Sequence, residues 1–114
     1  MPKIYLSPST QDQNPYVDGS GSEEYWMNLL ADALEPYLYA NTIAFVRNSP
    51  EMTAASSIAQ ANQLGGFDFY LALHSNASGE GQAGKNRGII VFYYPTSSDG
   101  KRAAELFAAR LREV

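Results

Sequence analysis

His74 is the only histidine among the 114 residues, and the chemistry open to this chain depends on what can gather round it. It closes the apolar run Leu71-Ala72-Leu73 and opens the polar run Ser75-Asn76. An imidazole at such a boundary can serve as acid, base or metal ligand. It can equally be a structural group bonded to backbone. Glu23 is the second candidate. In a helix, Glu23, Met27, Leu30 and Leu34 share one face, and that face is apolar, while Glu24 sits about a quarter turn away toward solvent. A carboxylate in a buried stripe is costly unless it is paired or bound to a metal. The plainer role for Glu23 is to complement the helix dipole in the first turn.

A glutamate and a histidine are two ligands, whereas catalytic zinc usually takes three and keeps one position open for water. Oxygens for a third would come from the first loop, where Gln11, Asp12 and Asp18 stand, aspartate being the better zinc donor. Ser7, Ser9 and Ser75 fall near the same edge, but no Gly-x-Ser-x-Gly elbow supports a serine nucleophile. Gly79, Gly81 and Gly84 follow a strand yet open no helix, which argues against a phosphate loop. With no cysteine, disulfides, thiol catalysis and zinc–thiolate sites are excluded.

The elements that would position these residues alternate. Lys3 to Leu6 reads as a strand stopped by Ser7-Pro8, and Gln11 to Gly21 as a loop. Ser22 caps a helix carrying Leu29, Leu30, Ala33, Leu34, Tyr37 and Leu38 at helical spacing, with a kink or tight end expected at Pro36. Ile43 to Val46 is a second strand, and Met52 to Leu64 a second helix ended by Gly65-Gly66. Phe67 to Leu73 is a third strand, apolar enough to suggest a central position buried on both faces. Gly88 to Tyr94 reads as a fourth, antiparallel to the third, and Ser98-Asp99 as the cap of a last helix with Ala103, Leu106, Phe107 and Leu111 inward. The order β-α-β-α-β-β-α predicts an α/β fold with a mostly parallel sheet flanked by helices. In such sheets sites lie beyond the carboxyl ends of the strands, which here deliver Ser7 to Gln11, Arg47-Asn48, and His74 to Asn76.

Residues 1–114 are the length of one domain. A 45% share of apolar residues is too high for disorder. The net charge of −4, with no basic block, excludes a nucleic-acid backbone as an expected partner. No apolar run is long enough for a membrane span. Met1 to Tyr5 already reads as strand without an apolar signal segment, so the chain is expected to be cytoplasmic at synthesis or stripped of its signal.

Leu71-Ala72-Leu73-His74-Ser75-Asn76-Ala77 is similar to the strand-end histidine motif of the zinc-dependent N-acetylmuramoyl-L-alanine amidases. Glu23, followed by Leu30-Ala31 and Leu34, resembles that family's glutamate ligand, and Ile43 to Arg47 and Gly88 to Tyr94 resemble its later strands. The opening Ile4-Tyr5-Leu6-Ser7-Pro8-Ser9 resembles a subgroup found in bacterial wall-lytic and spore-related proteins. The resemblance covers essentially the whole chain. It implies an amidase-like three-layer sandwich lacking its last elements, hydrolysis of the bond between muramic acid and L-alanine, and a peptidoglycan partner in the cell wall or outside the cell. It implies zinc held by Glu23 and His74, and Gln11, Arg47 and Asn76, at the same strand-end edge, are the residues expected to bind substrate. Two departures stand out. The family places a Gly-His-Gly-Gly stretch after its first strand, where this chain has Ser7-Pro8-Ser9-Thr10-Gln11. The family's catalytic glutamate on a late strand has no counterpart before Val114. The alternative expectation is therefore a non-catalytic, degenerate amidase fold that binds wall peptide or a protein partner.

Overall fold

The computed structural model describes residues 2–11, 19–75 and 89–113. The chain divides into two compact units, Met1–Ala77 and Ser78–Val114. The first is a small α/β unit with β1 (Lys3–Pro8), α1 (Glu23–Ala40), β2 (Ala44–Arg47), α2 (Ala54–Leu64) and β3 (Phe69–Leu73). The second contains α3 (Ser98–Leu111). No helix among the described residues is long and apolar enough to cross a membrane.

The sheet has the order β2-β1-β3, and both pairings are parallel. Leu6 stands opposite Arg47 on one side and Leu71 on the other. Adjacent residues of a strand face opposite ways, and β1 shows it. Leu6 clusters with Ala31 and Leu38 of α1, and Ile4, Phe45, Leu71 and Leu73 pack against that cluster. Tyr5 turns to α2, where its hydroxyl bonds Gln60. The two helices therefore cover opposite faces of the sheet.

The α1 face is apolar and the α2 face polar. On the latter, Tyr5 and Tyr70 stack at 5.2 Å, and the Tyr70 hydroxyl donates to Ser7 Oγ at 2.9 Å. Asn48, buried, donates from Nδ2 to Ser57 Oγ at 3.0 Å and to Ser7 Oγ and the Pro8 carbonyl at 3.2 Å each. No buried side-chain N or O among the described residues lacks a partner. Burial pushes the Tyr5 phenol above its ordinary pKa, with nearby Tyr70 adding to the rise and a Ser57 hydrogen bond opposing it. This layer accommodates the neutral phenol.

Several expectations are corrected. The third strand is not central. Among the described residues β1 takes that position, is the most buried strand, and leaves β3 at an edge of the sheet. Continuous apolarity in β3 reflects one face on α1 and the Tyr70 contacts on the other, not burial between two strands. Ile89–Tyr94 forms no strand, and no antiparallel pair occurs among the described residues. A strand exists only as a member of a hydrogen-bonded ladder, and an unbroken apolar run does not specify one. Finally, α1 continues through Pro36 to Ala40, so the tight end does not occur there. A proline inside a helix costs about 3 kcal/mol, but Leu38, 7% exposed, lies beyond it in the core. Burying a leucine is worth roughly 1.5–3 kcal/mol, which offsets much of that cost. In the second unit Ser97, not Ser98, caps α3, and of its expected inward residues Leu106 and Phe107 are exposed.

The end of α1 explains one strained residue. Thr42 N–H donates to the Tyr39 carbonyl at 3.1 Å and Ile43 N–H to the Leu38 carbonyl at 2.9 Å, the paired bonds of a Schellman motif, with Ile43 packed on the core cluster that includes Leu38. The motif requires a left-handed residue after the cap, and here Thr42 occupies it at φ 58°. A β-branched residue pays heavily there. Thr42→Gly is therefore expected to stabilise the fold by about 1 kcal/mol, read as a higher urea midpoint at unchanged slope; an unchanged or lower midpoint would contradict this account of the turn.

Candidate functional site

Parallel pairing brings the carboxyl ends of all three strands to one edge. α1 starts at the same edge, with Ser22 Oγ capping the Tyr25 N–H at 3.2 Å and Glu23 in the first turn. The buried stripe of α1 runs through Glu23, Ala31 and Leu38, with Met27 and Leu34 partly covered and Leu30 half exposed on its flank. Glu23 is thus carried inward by the same periodicity that buries the apolar residues.

At this edge Glu23 Oε2 lies 2.8 Å from His74 Nδ1. The glutamate is 5% exposed, whereas the histidine side chain is 40% exposed. A carboxylate can only accept, so Nδ1 carries a proton in this contact, and in a neutral ring the Nε2 lone pair remains available. The arrangement is a buried anion orienting a half-open imidazole. The ligand types suit zinc. Two ligands bound to one tetrahedral zinc at roughly 2.0–2.1 Å stand about 3.3 Å apart, so the observed 2.8 Å is a direct hydrogen bond that must open by about half an ångström to admit a metal. The more exposed partner, His74, has the room to move. Among the described residues no group of three or more His, Cys, Asp or Glu converges to hold a metal.

The other expected residues are distributed unevenly. Gln11 follows β1 and its N–H donates to Ser9 Oγ at 3.2 Å. Asp12, Asp18 and Asn76 lie outside the described residues, as do Gly79, Gly81 and Gly84. Ser7 and Ser9 are buried, and among the described residues neither hydroxyl is hydrogen-bonded to His74. Arg47 turns toward α1. Its Nη1 reaches Asp32 Oδ1 and Glu35 Oε2 at 2.6 Å each, and its Nη2 reaches Asn28 Oδ1 at 2.9 Å and the Asn28 carbonyl at 3.1 Å.

Asn28 was not singled out by sequence reasoning, and it ties the edge together. Its Nδ2 donates to the Ser9 carbonyl at 3.3 Å and the Glu24 carbonyl at 2.7 Å while Oδ1 accepts from Arg47. Arg47 therefore orients Asn28, and Asn28 holds the start of the loop after β1 against the first turn of α1. The Ser9 N–H completes the fastening by donating to the Leu73 carbonyl at 2.9 Å, next to His74. The available signal was weak: asparagine is a poor interior helix former, so its presence five residues after Glu23 called for a side-chain role.

Comparisons with protein-family models, with curated proteins and with solved structures gave no match. The reading of the site rests on its own geometry and on the motifs in the sequence.

Two hollows open at this edge. One, of about 100 Å³, has His74 in its wall; the other, of about 540 Å³, lies over the start of α2 and is lined by neither Glu23 nor His74. Glu51 stands in the larger hollow, where the Ser49 hydroxyl and its own backbone N–H hold its carboxyl below the ordinary value.

The Arg47 cluster gives a graded prediction. Arg47 is 19% exposed and Glu35 29%, but Asp32 is 62% exposed. Arg47→Met is expected to cost about 1–3 kcal/mol, between the values for surface and buried ion pairs, and Asp32→Ala less than about 1 kcal/mol. Urea unfolding checks both; equal costs would mean that the half-buried contacts to Asn28 and Glu35 contribute nothing beyond the surface pair.

Proposed function

We propose that this chain belongs to the hydrolysis of the amide bond between N-acetylmuramic acid and L-alanine in peptidoglycan, with Glu23 and His74 as ligands of a zinc ion that activates water. The observation that carries the reading is a 5% exposed carboxylate 2.8 Å from the only histidine of the chain, at the carboxyl edge of a parallel sheet. Most buried carboxylates serve structure through arginine or backbone donors. This one is aimed at a half-exposed imidazole where α/β folds place their sites. Zinc, when bound, supplies a Lewis acid for the amide carbonyl and an acidified water. The protein's own residues supply orientation. Glu23 fixes the ring of His74, and Arg47 acts through Asn28 to hold Ser9 and the loop that carries Gln11. Gln11, Arg47 and Asn76 remain the proposed substrate-side residues. For Arg47 that means contacts beyond its present ones to α1.

On this reading the sheet and its two covering helices are the first part of an amidase-like three-layer sandwich. The partner is peptidoglycan, and the place of action is the cell wall or the cell exterior. A second reading has specific support. The loop after β1 holds no histidine, and the described residues bring only two ligands together. Those features favour a degenerate amidase fold that holds wall peptide or a protein partner without cleaving it.

Calorimetric zinc titration separates the two. The chain is expected to bind zinc, His74→Ala to abolish the binding, and Glu23→Gln to weaken it by more than the roughly tenfold to hundredfold lost with an outer-shell partner of a ligand. Absence of zinc binding by the unaltered chain would contradict the metal mechanism and leave the binding module as the better account.

A further inference from the structure

Beside the face that packs on the sheet, α1 has two flanks of unlike character. On one, Asn28, Asp32 and Glu35 turn to Arg47 at the end of β2, and the Tyr39 ring lies 5.4 Å from that of Phe45 in the same strand. The other flank carries Trp26, Leu30, Ala33 and Tyr37, with Leu29 next to them, and all five are exposed. At about 100° per residue, the first four fall within an arc of roughly 60°. Glu24, Asp32 and Glu35 lie roughly a third of a turn or more from that stripe, and α1 has no lysine or arginine. Trp26 is fixed in place. Its indole N–H donates to the Ser20 carbonyl at 2.9 Å, and its ring meets Tyr25 edge-on at 5.3 Å. Gly21 lies against it at φ 133°, where a Cβ would come within 2.9 Å of the indole nitrogen. A tryptophan so held has little side-chain freedom to lose on association, which suits it to anchor an interface.

Spacing and charge together select what covers this stripe. Trp26, Leu30, Ala33 and Tyr37 are four, three and four residues apart, the alternation of a helix–helix seam. That series reads the same in both directions. Two copies of α1 laid antiparallel, with a two-fold axis between residues 31 and 32, set Trp26 against the partner's Tyr37 and Leu30 against the partner's Ala33. The first is an aromatic pair and the second a large side chain against a small one, which lets the axes approach to about 8–10 Å. A basic partner would need carboxylates in the stripe, and an anionic membrane surface would need cations along it; the stripe has neither. We infer that this flank of α1 is the interface between two copies of the chain, joined isologously through antiparallel α1 helices. A contact of one helix per copy falls below the roughly 800 Å² per partner of a standard interface, so the dimer belongs among weak, concentration-dependent ones. It stands apart from the zinc reading, since Glu23 lies on the buried face of the same helix.

Analytical ultracentrifugation of the full chain from ~1 mM to ~1 μM tests this, with the emission of Trp26, the sole tryptophan, read alongside. Sedimentation is expected to pass from dimer to monomer on dilution, and the Trp26 emission to move to the red as the ring is uncovered. Ala33→Glu, an exposed change that brings two carboxylates close to the axis, should weaken association by about tenfold or more. The chain has no cysteine, so a single introduced thiol reports the register. Ala33→Cys should form an intermolecular disulfide in oxidised glutathione, because the antiparallel seam brings the two positions within disulfide reach. Asp32→Cys, on the flank that faces Arg47, should not. A monomer throughout the range would overturn the inference. So would a dimer that Ala33→Glu leaves intact, or one in which Asp32→Cys cross-links as readily as Ala33→Cys, since the copies would then meet through another face.

Discussion

Parallel strands cannot be joined by tight hairpins, and that constraint organises the whole first unit. Each return of the chain must cross a face of the sheet, so α1 and α2 cover opposite faces and the carboxyl ends of β1, β2 and β3 come out at one edge. β1 carries the arrangement because it is hydrogen-bonded on both sides. Four successive residues from Tyr5 to Pro8 are buried. Leu6 faces the apolar cluster on α1, while Tyr5 and Ser7 face a polar layer on α2. A one-residue slip of β1 would exchange those environments, driving a tyrosine and a serine into the leucine cluster.

The edge so formed is fastened by polar contacts that are few and shared. Asn28 and Asn48 each bridge elements that the sheet alone would leave independent. Asn28 joins α1 to the end of β1 and to Arg47, and Asn48 joins the end of β2 to Ser7, Pro8 and Ser57. The Glu23–His74 pair then links the start of α1 to the end of β3. An amide side chain suits such junctions because it donates and accepts at once without carrying charge into a half-buried place. The result is a rigid seat for one buried carboxylate, the condition under which that group can orient an imidazole or a metal.

Much of this was legible in the residues. The period of α1 placed Glu23 on the buried face, and the passage from Leu73 to His74 marked a strand end, so both members of the pair could be named before their contact was known. Two caps were readable, Ser22 by side-chain type and Gly65 by backbone freedom, whereas Thr53 was not singled out. Strand order was not legible. Hydrophobicity made β3 look central, yet the position belongs to β1, because position in a sheet is set by the sequence of crossovers and not by apolar content. Pro36 was half legible: its local penalty was visible, but the burial of Leu38 that offsets much of it and lets the helix run on is tertiary. The role of Arg47 was half legible, since its place at the end of a strand was clear but not its turn toward Asp32, Glu35 and Asn28.

The central claim is that Glu23 and His74 are held together for a metal and not for each other. Crystals grown with zinc and measured at its absorption edge test this most directly. The account predicts an anomalous peak bonded to a Glu23 carboxylate oxygen and a His74 ring nitrogen, with the two side chains spread from 2.8 Å to about 3.3 Å. A direct Glu23–His74 hydrogen bond that persists at saturating zinc, with no peak between them, would contradict it.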